Sequence, residues 1–389
     1  MKKLKIGFFT DTYIPQVNGV VTSIELFRKE MEKQGHEVYI FAPSPKQKSD
    51  TKKIFRFHSM KFLPYPGIRI AIPYSRAAHE SAKKIKLDII HSHDPFSIGL
   101  FGLWLAKKFK IPYIHTYHTL YPEYVHYIWK AKITENLAKK MSRDFCNQCS
   151  AIVSPSTKIK NKLKKWGVKK SIATIATGIN LSEIKKTTKK EVEEFKKELG
   201  IEKNDKIVLF LSRIAKEKNI DFLLSAAKKM EKESVKFIIT GDGPYRKEAE
   251  EKSKKRKIKN IMFTGYIKRE QIPKIYKAAN VFAFPSTSET QGLVIAEAMT
   301  SGLPVIAVKD SATADIVTNN YNGYLTNKNI KDFSGKIKKV LNGKKIHAKF
   351  SKNAKETVKN FSIEKKSKEL LGLYQEQIDK NIDKKKNIS

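Results

Sequence analysis

Cysteine is nearly absent, with two in 389 residues, Cys146 and Cys149. That scarcity excludes a disulfide-built fold. Their C-x-x-C spacing would suit a redox pair placed where a strand runs into a helix. Here it closes a long helical pattern, so a redox role is not expected. A zinc site would need two further ligands nearby, and the flanking sequence offers none. Long apolar runs are also missing. The best candidate, Ile98–Ala106, falls far short of the ~18 residues a membrane span needs. The opening residues, Met1 to Thr10, lack a long apolar core and a small-residue cleavage site, and read as a first strand. An intracellular protein with, at most, peripheral membrane contact is expected. No zinc-finger, RNA-binding or helix-turn-helix pattern occurs, and no repeat of solenoid period.

Acidic residues are scarce. The chain has 78 Lys+Arg against 39 Asp+Glu, a net charge of +39. A field of that size fits an anionic partner, either a membrane surface or nucleic acid. It fits equally a Lys-, Ile- and Asn-rich compositional bias, and both explanations stand at this stage. Hydrophobic content of 40% suffices for packed cores, and the length suits two domains.

Short apolar runs alternate with helical patterns. In the first half the strand candidates are Lys5–Thr10, Val38–Ala42, Asp88–His91, Tyr113–Thr116 and Ala151–Pro155. Between the first two, Val21, Ile24, Phe27 and Met31 recur at helical spacing and Gly35 stops the helix. A second series begins at Lys206–Leu211. It continues through Val235–Thr240, Ile261–Thr264, Val281–Phe284 and Pro304–Val308. This alternation predicts an α/β fold with a parallel sheet in each half. Thr187–Asn204, charged and without strand signal, reads as a helix opening the second domain, so the boundary falls near Gly178–Ile184. Ser362–Ile378 is predicted as a helix with Leu370, Leu371 and Tyr374 on one face, and 379–389 as a frayed Lys-rich tail. The working divisions are 1–180, 181–361, 362–378 and 379–389.

Ser288–Met299 is the most informative stretch. Glu289 lies in a strand-to-helix loop and Glu297 eight residues on, inside the helix. Gly292 opens that helix, so free N–H groups and the positive dipole end face the loop. The arrangement suits an anionic, hydroxyl-rich ligand, with phosphate at the helix N-terminus and carboxylates on sugar hydroxyls. Two Glu at this spacing alone usually mark a solvated helix face. Here the apolar strand before them and the exit Ser301-Gly302-Leu303-Pro304 agree with the site.

In open parallel sheets, ligands bind beyond the carboxyl ends of the strands. Gly19 opens the first helix after such an end. Arg213 and Lys218 flank another, and Gly241-Asp242-Gly243-Pro244 ends a third, first of all as a turn signal. His118 ends a fourth. His91, His93 and Asp94 suggest a metal, but Pro95 breaks the strand that would hold both His on one face. No metal is expected.

The Glu289–Glu297 pattern in its full context resembles the E-x7-E signature of retaining glycosyltransferases of family four, which use nucleotide-sugar donors. The likeness spans nearly the whole chain. It implies the GT-B fold: two Rossmann-like domains facing each other across a cleft, with the final helix crossing back to the first. It implies that the Gly19 amide, with Val20 beside it, meets the donor diphosphate, and that Arg213 and Lys218 clamp it; Lys216 fits less well. Gly241, Asp242 and Gly243 would line the base and ribose pocket. Glu297 would hold the ribose hydroxyls and Glu289 the transferred sugar, with Gly292 and Leu293 amides near the phosphate. His118 would touch the sugar near the reacting carbon. No cofactor is implied beyond the donor. The chain has no D-x-D triplet, so the metal-dependent transferases of the other major fold match poorly. One departure concerns the donor. Where the family usually shows paired glycines, this chain has Lys309-Asp310-Ser311-Ala312, which leaves UDP-glucose, UDP-galactose and GDP-mannose open.

The aromatic stretch Tyr117–Tyr127 resembles the bacterial diacylglycerol glucosyltransferases. The resemblance implies a lipid acceptor near Tyr121, Tyr124, His126 and Tyr127. Thr157–Lys170 places Ile159, Leu163 and Trp166 at helical spacing among lysines that include Lys162, Lys164 and Lys165. That is either an interfacial anchor or a core-facing helix with a solvated basic back. Arg56–Ile70, apolar with interspersed cations, either meets a bilayer or covers the first domain. The expectation is glucosyl transfer from UDP-glucose to 1,2-diacylglycerol with retention, on an anionic membrane, peripherally at the cytoplasmic face of the plasma membrane. Alternatives are a mannosyltransferase on phosphatidylinositol, a transferase with a soluble acceptor, or a nucleic-acid-binding protein on a similar scaffold. Nucleic acid is not the expected partner.

Overall fold

The computed structural model describes residues 2–387 except 17, 45–51, 62–68, 125–131 and 203. The chain forms two compact units, Met1–Gly178 with Ile363–Ser389, and Ile179–Ser362.

The first unit begins β1 (Lys5–Phe9), α1 (Gly19–Lys33), β2 (Glu37–Pro43), β3 (Ile54–Phe57), β4 (Ser59–Lys61) and β5 (Arg69–Ala71). It continues with α2 (Arg76–Ile85), β6 (Ile89–Ser92), α3 (Ser97–Phe109), β7 (Tyr113–Thr116) and α4 (Tyr121–Tyr124). Then come α5 (Lys132–Cys146), β8 (Ala151–Ser154), α6 (Thr157–Lys165) and β9 (Ile172–Thr174). Seven strands pair in the order β3-β2-β1-β6-β7-β8-β9, all parallel, while β4 and β5 form a separate antiparallel pair. The central strands are buried on both faces, as continuous apolar runs such as Ile6-Gly7-Phe8-Phe9 require.

The second unit opens with α7 (Leu181–Lys186) and α8 (Lys189–Glu198), the latter started by a Thr188–Glu191 capping box. It continues with β10 (Lys206–Leu211), α9 (Ile220–Lys229), β11 (Val235–Thr240), α10 (Arg246–Lys255) and β12 (Ile261–Gly265). Next are α11 (Ile272–Ala278), β13 (Val281–Phe284), α12 (Leu293–Thr300), β14 (Val305–Val308) and α13 (Ser311–Ala314). β15 (Gly323–Thr326), α14 (Ile330–Asn342) and α15 (Lys344–Val358) complete it. Six parallel strands pair in the order β12-β11-β10-β13-β14-β15. The order reverses between β1 and β6 in one sheet and between β10 and β13 in the other. At such switch points adjacent loops part to opposite faces and leave a crevice.

The last helix, α16 (Ile363–Lys386), returns to the first unit. Ile363, Ser367, Leu370, Leu371, Tyr374 and Gln377 form its buried stripe, at spacings of three and four. Ile363, Leu370, Leu371 and Tyr374 cluster with Leu4, Ile24, Phe27 and Ile89. The Tyr374 hydroxyl reaches His91 Nδ1 at 2.5 Å. The expected stop at Ile378 is corrected: the helix runs eight residues further, to Lys386. No Gly or Pro falls between Ile378 and Lys386, Gln375 and Lys380 bond Asp379 and Glu376 along its surface, and Asn381 donates to the Lys110 carbonyl.

Leu371→Ala should therefore destabilise the first unit by about 2–5 kcal/mol. Tyr374→Phe, which leaves His91 Nδ1 buried and unpaired, should cost about 1–3 kcal/mol. Lys384→Ala should stay within about 0.5 kcal/mol. Chemical denaturation of the three variants checks this; equal stabilities would mean that α16 is not integral to the unit.

Candidate active site

In the second unit, two loops at the β10–β13 switch point hold charged residues together. After β10 comes Ser212–Asn219. The Arg213 guanidinium donates to Glu217 at 2.5 Å, and its side chain is 60% exposed. Lys218 forms an ion pair with Glu289 from the loop after β13, and both side chains are nearly buried, at 14% and 13% exposure. Two further bonds join the loops. Asn219 Nδ2 donates to the Pro285 carbonyl at 2.9 Å, and the Ser288 hydroxyl donates to the Glu217 carbonyl at 3.2 Å. Three of the expected site residues, Arg213, Lys218 and Glu289, thus lie on one loop pair, with each cation already paired to a carboxylate.

The helix behind them is α12. Gly292 caps it at φ +79°, in the left-handed region that favours glycine. Leu293 and Val294 then present first-turn N–H groups outside the helical ladder. One turn in, Glu297 accepts from the Tyr276 hydroxyl at 2.9 Å. Tyr276 lies fully buried on α11. Burial, with the Glu297 charge next, pushes its phenol well above the ordinary range, so it acts only as a donor that fixes the carboxylate.

Gly241 and Gly243 have a structural reason beside any binding role. A Cβ on Gly241 would come within 2.0 Å of the Ser212 carbonyl oxygen, and one on Gly243 within 2.4 Å of that of Ile214. Their absence lets the 241–243 backbone lie against the Arg213 loop, where Ile214 N donates to the Asp242 carbonyl at 2.9 Å.

In the first unit, Asn18 caps α1 by accepting from Val21 N, and Gly19 and Val20 occupy the first turn. A Cβ on Gly19 would meet nothing within 4 Å, so its lack of a side chain serves no packing need. His118 follows β7 and belongs to a layer of imidazoles. Its Nε2 lies 3.0 Å from His93 Nδ1. His91 bonds Tyr374 and Thr116, and His115 bonds Ser92. Burial pushes His91 and His93 well below the ordinary histidine range, and His118 down to about 4. The layer is therefore neutral at physiological pH.

Beside it, Asp94 accepts from Thr10, from Asp11 N and, at 3.3 Å, from Tyr121. Burial, with the Asp11 charge next, pushes Asp94 up to about 7. Asp11 accepts from the Ser97 hydroxyl and Ile98 N at the start of α3. His91, His93 and Asp94 are thus each engaged by other partners. Among the described residues no group of three or more His, Cys, Asp or Glu could hold a metal ion. Cys146 and Cys149 are buried free thiols, and burial pushes Cys146 up to about 12.

Of the two readings of Thr157–Lys170, the core-facing one describes its apolar stripe. The helix ends at Lys165, and Ile159 and Leu163 are fully buried in the core. Trp166 packs edge-on to the buried Tyr117 with centroids 6.2 Å apart. The apolar stripe serves the fold, and only the basic back of the helix faces outward, with Lys164 and Lys165 exposed. Lys162, Lys165 and Trp166, with Lys139, Lys140 and Arg143 of α5, line a cavity of about 480 Å³. Tyr121 packs against Phe96 and Tyr117. Tyr124 ends α4, while His126, Tyr127 and most of 62–70 lie outside the described residues.

Sequence reasoning passed over Tyr276, Asn219 and the pairing of His93 with His118. Tyr276 carries no local motif, because its partner lies 21 positions away. Asn219, at φ +54°, directly follows Lys218 and could have been singled out as a residue that tolerates that conformation.

The family model for "Glycosyltransferase Family 4" matches residues 17–183, and that for "Glycosyl transferases group 1" matches 191–357. An alpha-monoglucosyldiacylglycerol synthase of Streptococcus pneumoniae is 41% identical over 78% of this chain and 71% of its own. One of Acholeplasma laidlawii is 33% identical over 98% of this chain and 99% of its own. Among solved structures, Anabaena HepE in complex with UDP and glucose superposes with a TM-score of 0.77 at 18% identity, covering 96% of this chain and 100% of that one. Sucrose-phosphate synthase of Thermosynechococcus elongatus gives 0.78 at 20%, over 96% and 99%. Two family models in chain order, on two parallel-sheet units, and a relative matched along nearly its whole length place the chain among the family four glycosyltransferases of the GT-B fold.

Proposed function

We propose that the enzyme moves glucose from UDP-glucose to 1,2-diacylglycerol with retention at the anomeric carbon. The observation that carries this reading is the β10–β13 loop pair, where Arg213, Lys218 and Glu289 stand before the N-terminus of α12 and Glu297 is held by Tyr276. A nucleotide sugar needs cations and amides for its diphosphate, and carboxylates for its ribose and hexose hydroxyls. The names of the two relatives support glucose and diacylglycerol as the pair. In the proposed step the bond from the anomeric carbon to the diphosphate oxygen breaks. The acceptor hydroxyl oxygen enters on the same face, and a departing phosphate oxygen takes its proton. Arg213, Lys218 and the Gly19 amide stabilise the leaving charge. His118 and Glu289 position the sugar, and no covalent protein intermediate forms. Gly241, Asp242 and Gly243 border the nucleotide, and the Gly292 and Leu293 amides meet phosphate.

The acceptor side rests on Tyr121, Tyr124, His126 and Tyr127, and on a peripheral position at the cytoplasmic face of the plasma membrane. Two surfaces of the first unit support contact with an anionic bilayer. One is the basic cavity of α5 and α6. The other is an exposed apolar group, Tyr74, Leu100 and Trp104, with Lys108 over the Trp104 ring at 4.8 Å. Among the described residues no helix is long and apolar enough to cross a membrane.

A transfer screen of UDP-glucose, UDP-galactose and GDP-mannose against diacylglycerol and phosphatidylinositol, with the product anomer read by NMR, tests the assignment. Preference for GDP-mannose and phosphatidylinositol would replace it.

Arg213→Ala and Lys218→Ala should each lower kcat by about 10²-fold or more. Gly19→Ala should keep or slightly raise stability, since Ala is the better helix former, yet slow turnover by crowding the diphosphate. Unchanged turnover in all three would remove the proposed clamp. Activity should also survive excess EDTA; full loss on chelation with recovery by Mn²⁺ or Mg²⁺ would contradict a clamp made of side chains alone.

Activity on diacylglycerol vesicles should rise with anionic lipid and fall steeply with salt, because exposed charges are screened over about 10 Å at 0.1 M. Replacing Lys162, Lys164 and Lys165 by Gln should weaken vesicle binding by about 1 kcal/mol each. Trp104→Ala should weaken it, and Trp166→Ala should act on stability instead. Indifference of the parent enzyme to anionic lipid would favour a soluble acceptor.

A further inference from the structure

The buried imidazole layer bears on the chemistry of His118, whose role as the residue meeting the donor sugar is the proposed reading on which this inference rests. His93 lies directly after β6 and is almost wholly buried. Its ring stacks on His91, with centroids 4.4 Å apart and planes at 28°, and meets Phe8 edge-on at 4.9 Å. Its backbone N–H donates to the Phe9 carbonyl at 2.8 Å, so the ring has little freedom. The His93 and His118 ring planes are inclined by 22°, with centroids 5.3 Å apart. The bond joins His93 Nδ1 to His118 Nε2 at 3.0 Å. The other nitrogen of His93, Nε2, is buried and has no partner among the described residues.

Two neutral arrangements satisfy that bond. If His118 donates, His93 must carry its proton on Nε2, where a buried N–H finds no acceptor. If His93 donates from Nδ1, its Nε2 is a bare acceptor, which proteins leave unsatisfied more readily than a buried donor. We infer that His93 is a positioning residue that donates from Nδ1 to His118 Nε2 and holds His118 with its own proton on Nδ1. That nitrogen has no protein partner among the described residues. His118 then offers the sugar a hydrogen-bond donor, and it has no free lone pair with which to act as a base. The reaction does not call on it for one, because the departing phosphate takes the acceptor proton. Neutrality of the layer, which burial imposes, is what keeps the second His118 nitrogen available as acceptor.

The full chain labelled with ¹⁵N-histidine gives the direct test. Protonated and bare imidazole nitrogens differ widely in ¹⁵N shift, and loss of one ring in His118→Ala assigns its signals. The expected result is a neutral His118 protonated on Nδ1 and bare on Nε2. His93→Asn, whose amide keeps a donor near the Nδ1 position, should preserve that tautomer and most of kcat. His93→Leu should release it, shift His118 toward Nε2–H, and lower kcat by about tenfold, the scale of one hydrogen bond, with KM for the nucleotide sugar little changed. A wild-type His118 protonated on Nε2 overturns the inference. So does a His93→Leu variant that keeps both the tautomer and kcat. Normal turnover in His118→Ala would instead strike the proposed role of His118 at the sugar, a failure distinguishable because the tautomer is read without substrate.

Discussion

Parallel pairing is the constraint from which the site follows. Every strand of the two large sheets runs the same way as its neighbours, so each connection must cross back over a face and all carboxyl ends share an edge. Where the order reverses, between β10 and β13, the following loops lie side by side. Arg213 and Lys218 come from one and Glu289 from the other, 71 positions apart in sequence for the ion pair. Their meeting depends on strand order, and the close backbone approach at Gly241 and Gly243 fixes the distance from a third loop.

Charge in this protein acts at two scales. The net +39 creates a general field that concentrates anions and weakens with salt. Within the β10–β13 loop pair the balance is local and nearly neutral, because Glu217 and Glu289 occupy Arg213 and Lys218. In the proposed donor site, a diphosphate would have to offer these cations better geometry than the carboxylates already give. On that proposal, selectivity arises from placement, and bulk charge contributes chiefly to encounter.

Much of the fold was legible in sequence, since short, largely apolar runs of four to six residues marked the central strands and helical periodicity marked α1 and α16. The strands that escaped notice are short or lie at sheet edges. β9 has three residues, and β15 opens with Gly323, placed where a Cβ would come within 2.1 Å of the Val305 carbonyl oxygen. Edge strands bury less and leave a weaker pattern. α6 shows the opposite problem. Its periodicity was plain, yet an amphipathic stripe reads alike whether it faces a core or a bilayer, and only packing decides. In the site, residues at strand ends could be named from sequence because strand ends are visible there. Tyr276 and the His93–His118 bond could not, because long-range side-chain partnerships leave no local spacing.

The return of α16 makes the first unit discontinuous, with residues 179–362 inserted between its parts. Where the chain leaves and re-enters, Gly178 lies so close to Ile363 that a Cβ would come within 2.4 Å of its Cα. During synthesis the inserted unit emerges as one uninterrupted segment and has all its strands before the ribosome reaches the last helix. The first unit must wait. Until residue 374 emerges, the apolar face that receives Leu370 and Leu371 stays open and His91 lacks its hydroxyl partner. The inserted unit is thus equipped to finish folding first, and α16, made after it, seals the unit begun before it.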